Sequence, residues 1–519
     1  MRPVPAPGLS YRLGRGTVAL RPDGSIEAVR PVPRSSSYLV VGGRVRARVG
    51  GVEVPWSGPT VAADVDEVEF GFTAARGLGL VVRHSFTADW VVRVAFVSHT
   101  LDPLSLVAEL AWEPAPECPA WALAAGATGG YVVPAPDGHG PLLGGQLVLG
   151  ACDAVSEHAI GLGEIELGPL ERRVVQWRWG WYANPRAFVR NRFAHVPRDL
   201  VLAENESARI LADDDAAVVA PGVDTVRRGP HLELSVTGRH RVSVEIRSHR
   251  GVTAYEMEWV ERLEDGLAEV GDRLLEGPRS RAGVVLLADV DAALVVQYLL
   301  VHGRLGNPDQ ADDALGLFVA RAAGSEAVDG RGVSLLCGEF ERTGDPDLLE
   351  DATASLVTLD RPVPGLGLAA AQVCVARLTQ GQSLDPVLTH LERVAEATAE
   401  ADLDDLATSL ELRLTTAPRG DGGDPDRRRT VEVGVRRIGA ALGAGLPGRP
   451  VRPLPVDRQA YLAVVLGLLP EALGARARPD WGVRPHEVAR AASAQVLARL
   501  AGQAPRAAHS WLIMGARLA

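Results

Sequence analysis

Up to about Trp259 the chain is written in short runs in which apolar and polar residues alternate. Val68-Glu69-Phe70-Gly71-Phe72 is one such run, and residues 80–86 and 91–97 are two more, flanking the corner Thr87-Ala88-Asp89-Trp90. A period of two places every second side chain on one face of a strand, so these segments predict antiparallel β-strands. Residues 38–41 and 44–49 are separated by Gly42-Gly43, which predicts a tight hairpin. Further strands are expected near 104–112, 145–149 and 172–181. A long series of strands joined by turns, without helical period, predicts a large antiparallel β-sandwich over residues 1–197. Residues 198–259 read as a smaller β unit, either separate or an extension of the sandwich, with the acidic turn Asp213-Asp214-Asp215 between two of its strands.

After Trp259 the period changes to that of helices. Residues 260–283 read as a linker helix ended by Gly277-Pro278, and 284–519 as an all-α region of helical hairpins. Helices are expected at 289–305, 309–323, 331–343, 347–358, 366–380, 384–400, 403–415, 430–443, 456–472, 484–502 and 505–517. Asn307-Pro308, Gly344-Asp345-Pro346, Asp385-Pro386 and Arg484-Pro485 mark starts, because proline is tolerated in the first helical turn. Short connections predict antiparallel neighbours. Residues 419–429 and 443–455 read as loops, and 419–429 should be the first site of proteolysis. The fold class is therefore multi-domain β plus α, with the two parts docked.

Composition narrows the function. The 519 residues carry no lysine, so all 54 basic residues are arginine. That excludes a Walker-type lysine and Schiff-base chemistry. A net charge of −11 argues against nucleic acid as a partner. Nothing resembles a secretory signal or a membrane span, so a cytoplasmic location is expected. The usage of Ala, Val, Leu, Gly and Arg suggests a high-GC bacterium. Cys118, Cys152, Cys337 and Cys374 are scattered, which predicts free thiols. His240 and His249 are too far apart in sequence to read as a metal pair; neither a metal nor a cofactor is expected.

The order of sandwich then helical hairpins, together with Asp329-Gly330-Arg331-Gly332 leading into Val333–Arg342 and then Thr343-Gly344-Asp345-Pro346, resembles the six-hairpin glycosidases. In those an α/α toroid follows a large sandwich. The resemblance implies an oligosaccharide or polysaccharide ligand, in a glycoside hydrolase or phosphorylase using two carboxylates. It equally allows a non-catalytic scaffold or carbohydrate-binding protein of the same architecture. Glycoside cleavage needs one carboxyl of raised pKa and a second that is ionised. Asp289, Asp291, Asp329, Asp402, Asp404, Asp405 and Asp480 precede or open helices, where they could border one funnel or cap the helices. Asp329, Asp404 and Asp480 are the candidate catalytic residues, with Trp481 and His486 as substrate-binding candidates. Trp177, Trp179 and Trp181 share one strand face, serving either as a sugar platform or as core. Glu339 and Glu341 with Arg342 suit ordinary helix pairing.

Overall fold

The computed structural model describes residues 9–32, 35–136, 138, 140–190, 193, 195–322, 329–398, 402–416, 425–443, 445–446, 448–469 and 484–518. Two antiparallel sheets form the first part. One runs in the order Leu9–Leu13, Gly16–Leu20, Ile26–Arg30, Leu39–Val49, Leu104–Pro114, Ala159–Leu167, with Val52–Glu53 added beside Leu39–Val49. The other is nine-stranded, and Arg172–Tyr182, Trp90–Ser98 and Leu78–Phe86 lie near its middle. Alternate residues of both sheets meet in one core that includes Val18, Val45, Leu106 and Trp112 from the first sheet and Phe70, Val82, Trp90 and Trp179 from the second. The Trp112 and Trp179 rings stack at 4.0 Å. Trp177 and Trp179 are thus core residues, not a sugar platform.

Gly42-Gly43 does not make the expected hairpin. Leu39–Val49 is one continuous strand whose register against Leu104–Pro114 shifts between Leu110 and Trp112. A bulge explains the pair: Gly43 has φ +77°, and a Cβ at Gly42 would come 2.8 Å from Ile26 Cδ1.

The smaller β unit has a four-stranded and a three-stranded sheet. Val201–Ala203 pairs parallel to Gly251–Val260; the other pairings are antiparallel. Its core, with Leu234, Val244, Met257 and Trp259, is continuous with Trp121, Val132 and Leu142 on the outer face of the nine-stranded sheet.

A one-turn helix, α1 (Pro185–Val189), precedes this unit. The helical part comprises α2 (Leu263–Leu275), α3 (Val290–Val301), α4 (Pro308–Ala322), α5 (Gly330–Thr343), α6 (Pro346–Thr358), α7 (Leu366–Thr379), α8 (Asp385–Glu396), α9 (Leu403–Thr415), α10 (Pro425–Leu442), α11 (Val456–Gly467), α12 (Pro485–Leu500) and α13 (Ala507–Leu518). Helix α10 begins at Pro425, ahead of the expected residue 430, with proline again in the first turn; residues 419–424 of the expected loop lie outside the described residues. Alternate helices pack in series, α3 on α5, α5 on α7, α7 on α9 and α9 on α11, and α13 packs on both α11 and α3. The members of this inner series are apolar nearly all round: Ala292 to Leu299 of α3 are all buried. The even-numbered helices cover them with amphipathic faces, as Val387, Leu391 and Val394 of α8 show. No described helix is long and apolar enough to cross a membrane.

Candidate functional site

The N-termini of the inner helices gather carboxylates because each has free N–H groups to satisfy. Asp289 caps α3 through Ala292 N, and Asp402 caps α9 through the N–H groups of Asp404 and Asp405. Asp329 caps α5, accepting from Arg331 N at 2.9 Å and Gly332 N at 3.3 Å. Its other oxygen accepts from the Arg331 side chain at 2.9 and 2.5 Å. The same guanidinium reaches both oxygens of Asp291 on α3, at 2.9 and 3.1 Å. Ser510 of α13 donates to Asp291 at 2.6 Å. Arg331 also lies 5.7 Å from the centre of the Trp511 ring, a cation–π contact. Burial works against the charge on Arg331, yet hydrogen bonds and charges from Asp329 and Asp291 outweigh it and raise its pKa. Three helices are thereby pinned at one end by a permanently charged fork.

Deeper lies a second polar group. Glu411 of α9 is buried and accepts from Gly365 N, at the head of α7, at 2.9 Å. Gly365 has φ +84°, and a side chain there would collide with the Trp511 ring. Burial pushes the Glu411 carboxyl up to about 8, against opposing hydrogen bonds from Tyr461 and the backbone of Gly367, Gly365 and Leu368. Its Oε2 lacks a hydrogen bond of good geometry. The Tyr461 hydroxyl, 3.1 Å from Thr408 Oγ1, is raised by burial and then by Glu411. The Tyr461 and Trp511 rings are 5.2 Å apart, which joins this group to the Arg331 cluster. Glu411 lines a cavity of about 200 Å³ with Gly367, Leu368, Thr415, Val465 and Leu468. A carboxyl that is neutral at neutral pH can donate a proton, whereas Asp329 and Asp291 face a fixed cation.

Of the sequence candidates, Asp329 and Asp291 are brought together. Asp404 stands in the first turn of α9 and binds Arg458 of α11 at 2.6 Å. His486 is exposed in the first turn of α12. Arg499, at the other end of α12, bonds to Leu454 O and Gln459 at the start of α11, so His486 lies at the opposite end of that pair from the start of α11. Asp480 and Trp481 lie outside the described residues. Glu339 is buried and pairs with Arg342, as expected of i, i+3 neighbours, and also accepts from Gln297 at 3.0 Å. Glu411 and Tyr461 are not among the sequence candidates. Their signal was a carboxyl inside the apolar run Leu410-Glu411-Leu412 and a tyrosine inside Ala460–Leu466, both on faces that must be buried.

No protein-family model matches the chain, and no curated protein matches it. Among solved structures, polysaccharide lyase BACCELL_00875 superposes with a TM-score of 0.67 at 11% identity, covering 91% of this chain and 92% of that one. That likeness establishes a shared fold, β-sheets and helical domain together. A human-microbiome protein described as a kojibiose phosphorylase matches at 8% identity and TM-score 0.25, over 98% of this chain and 86% of that one. An Escherichia coli K12 protein described as an aldose 1-epimerase matches at 10% and 0.23, over 34% of this chain and 99% of that one.

Proposed function

We propose that this chain is a carbohydrate-active protein of the six-hairpin plan, acting on an oligosaccharide with paired carboxylates. The observation that carries the reading is Glu411, a carboxyl held protonated at neutral pH on the wall of a cavity. Perturbed groups of this kind mark functional sites more often than chance. In this reading Glu411 is the acid, and Asp329, paired with Arg331, is its partner; Asp404 and Asp480 are the other carboxylates to test. The likeness in fold to a polysaccharide lyase supports a polymeric or oligomeric sugar as ligand.

A second reading, a binding or scaffold protein without chemistry, has its own support. Asp329 and Asp404 are each already bound to an arginine, and the buried Trp511 and Tyr461 fill the space between inner helices. One experiment separates the two. The full chain is incubated with neutral and uronate-containing oligosaccharides, reading new reducing ends and the ultraviolet absorbance of unsaturated uronides. The catalytic reading expects turnover that Glu411→Gln lowers roughly 10²–10⁴-fold with binding retained. Binding by the wild type without turnover selects the second reading. Neither binding nor turnover on any sugar overturns both.

A further inference from the structure

The sandwich carries a cleft that neither reading uses. Strand Ile26–Arg30 pairs with Leu39–Val49 only at Ile26 and Gly42, beside the bulge at Gly43. A neighbour returns on that side where Val52–Glu53 pairs with Val49 and Arg48, and where Val54 N donates to Ala47 O at 2.8 Å. Between these points the first sheet has a slit. Ala47 and Val45 lie opposite Ala108 and Leu110, so the N–H and C=O of Val45 point the same way as Ala47 O, into the slit, where no strand bonds them. A cavity of about 520 Å³ occupies it. Its floor is closed by Val45 and, from the second sheet, by Leu80 and Val82, each at most 5% exposed. The half-buried rings of Trp56 and Phe72 form its walls. Trp56 Nε1 is buried and has no hydrogen-bond partner among the described residues, although a buried indole N–H ordinarily finds one. Arg44 and Arg48 stand exposed at the rim, and among the described residues their side chains make neither a hydrogen bond nor an ion pair. Arg46, between them, pairs with Glu109 at 3.4 Å. Asp23, in the turn before Ile26, and Glu53 complete the rim.

We infer that this cleft binds a short oligosaccharide carrying carboxylates, that is, a uronate-containing glycan. Unpaired guanidiniums on one strand call for an anion, and their planar forks match a carboxylate. Residues four apart on a strand are separated by about 13 Å, so Arg44 and Arg48 suit carboxylates on different sugar units of one chain rather than one small anion. The Trp56 and Phe72 rings offer flat apolar faces to the C–H groups of a pyranose. Asp23 and Glu53 accept from sugar hydroxyls. Burial works against the charge on Asp23, but hydrogen bonds from the Ser25 hydroxyl and N–H, and the charges of Arg44 and Arg21, hold its pKa below the usual value. The volume lies within the range of small-molecule sites. A fatty acid fits less well, because the closed floor leaves no channel for an alkyl chain into the core. A neutral glycan would leave both arginines without a partner. The cleft belongs to the β part, whereas Glu411 and Asp329 stand on helices, so binding here is separate from any chemistry there.

The test titrates the full chain with trigalacturonate by calorimetry, with maltotriose as the neutral control and decanoate as the apolar anion. Trigalacturonate should bind roughly 10-fold or more tightly than maltotriose, and less tightly as NaCl is raised. Decanoate should not displace it. Arg44→Gln, Arg48→Gln and Trp56→Ala should each weaken the binding roughly 10-fold or more. Arg12→Gln, which alters an exposed arginine of the same sheet outside the cleft, should leave it unchanged. The two rim variants alter exposed side chains and keep the test valid where Trp56→Ala fails to fold. Binding that is absent, equal for maltotriose, displaced by decanoate, or unchanged in the Arg44 and Arg48 variants overturns the assignment. The readout is binding alone, so each outcome holds with or without turnover at Glu411.

Discussion

Two buried titratable side chains pull the stability of this protein in opposite directions with pH. Glu411 has an ordinary value of 4.5 when unfolded and about 8 when folded, because burial disfavours its charge. Folding therefore takes up a proton between those values. The stabilisation is complete below pH 4.5 and is lost as the pH rises through 8, on the order of a few kcal/mol. Glu411→Gln keeps a hydrogen-bond acceptor for Gly365 N and removes the titration. Between about pH 6.5 and 8 its Tm should decline less than that of the wild type; parallel curves would show that Glu411 is ionised throughout. His84 is the mirror case. Its Nδ1 accepts from Trp90 Nε1 at 3.1 Å inside the sandwich, and burial lowers its pKa from 6.5 to about 3. Its contribution is full above pH 6.5 and is lost as the pH falls toward 3. His84→Leu should cost about 1–3 kcal/mol at neutral pH, through the orphaned Trp90 donor, and progressively less in acid. A cost independent of pH in denaturant melts would refute this assignment.

At the scale of elements, Asp329 is the point where capping and chemistry can be told apart. Asp329→Ala removes both the cap of α5 and one arm of the Arg331 fork, and should cost about 1–2 kcal/mol. Asp402→Ala, which removes a cap without that fork, should cost about 1 kcal/mol. Urea melts of both variants, with activity alongside, give the answer; an Asp329 variant as stable as wild type yet inactive would assign the residue to catalysis alone. The same elements show what was legible in the sequence. Helix starts were readable because Pro308, Pro346 and Pro485 stand at the first helical positions and Asp329 and Asp402 bond to the first free N–H groups. The alternation in Leu78–Phe86 and Trp90–Ser98 reported a two-sided sheet whose inner residues are buried. Gly42-Gly43 misled because a bulge and a hairpin ask for the same residues, and only Ile26, from another strand, decides between them. The Glu411–Gly365 bond and the cleft beside Arg44 and Arg48 were invisible for the same reason. Each joins segments that local pattern treats as independent.

At the scale of the whole molecule, the helical part completes the β part. Residues Arg449–Pro450, between α10 and α11, add a strand beside Trp121–Ala125 and so cover what would otherwise be a free edge of the nine-stranded sheet. The Trp121 indole donates to Ala440 O at 3.1 Å, and Gly443 lies so close to its ring that a Cβ would meet it at 2.7 Å. Arg452 donates to Glu157 at 2.6 Å and to the carbonyls of Pro114 and Ala115. On another side Arg198 binds Glu487 of α12 at 2.8 Å, and Arg490 reaches Asp199 and Glu206. The exposed ion pairs add little each, whereas Trp121 is a buried anchor shared by the sheet, the smaller unit and α10. Its loss should therefore be felt by both halves. Calorimetry of the wild type should show one cooperative transition, with Trp121→Ala lowering stability by about 3–5 kcal/mol and splitting the transition in two as sheet and helices lose their common contact. Two transitions already present in the wild type, or a variant that destabilises only one half while the other melts unchanged, would mean that the halves are merely adjacent and that the docking surface around Trp121 contributes no cooperativity.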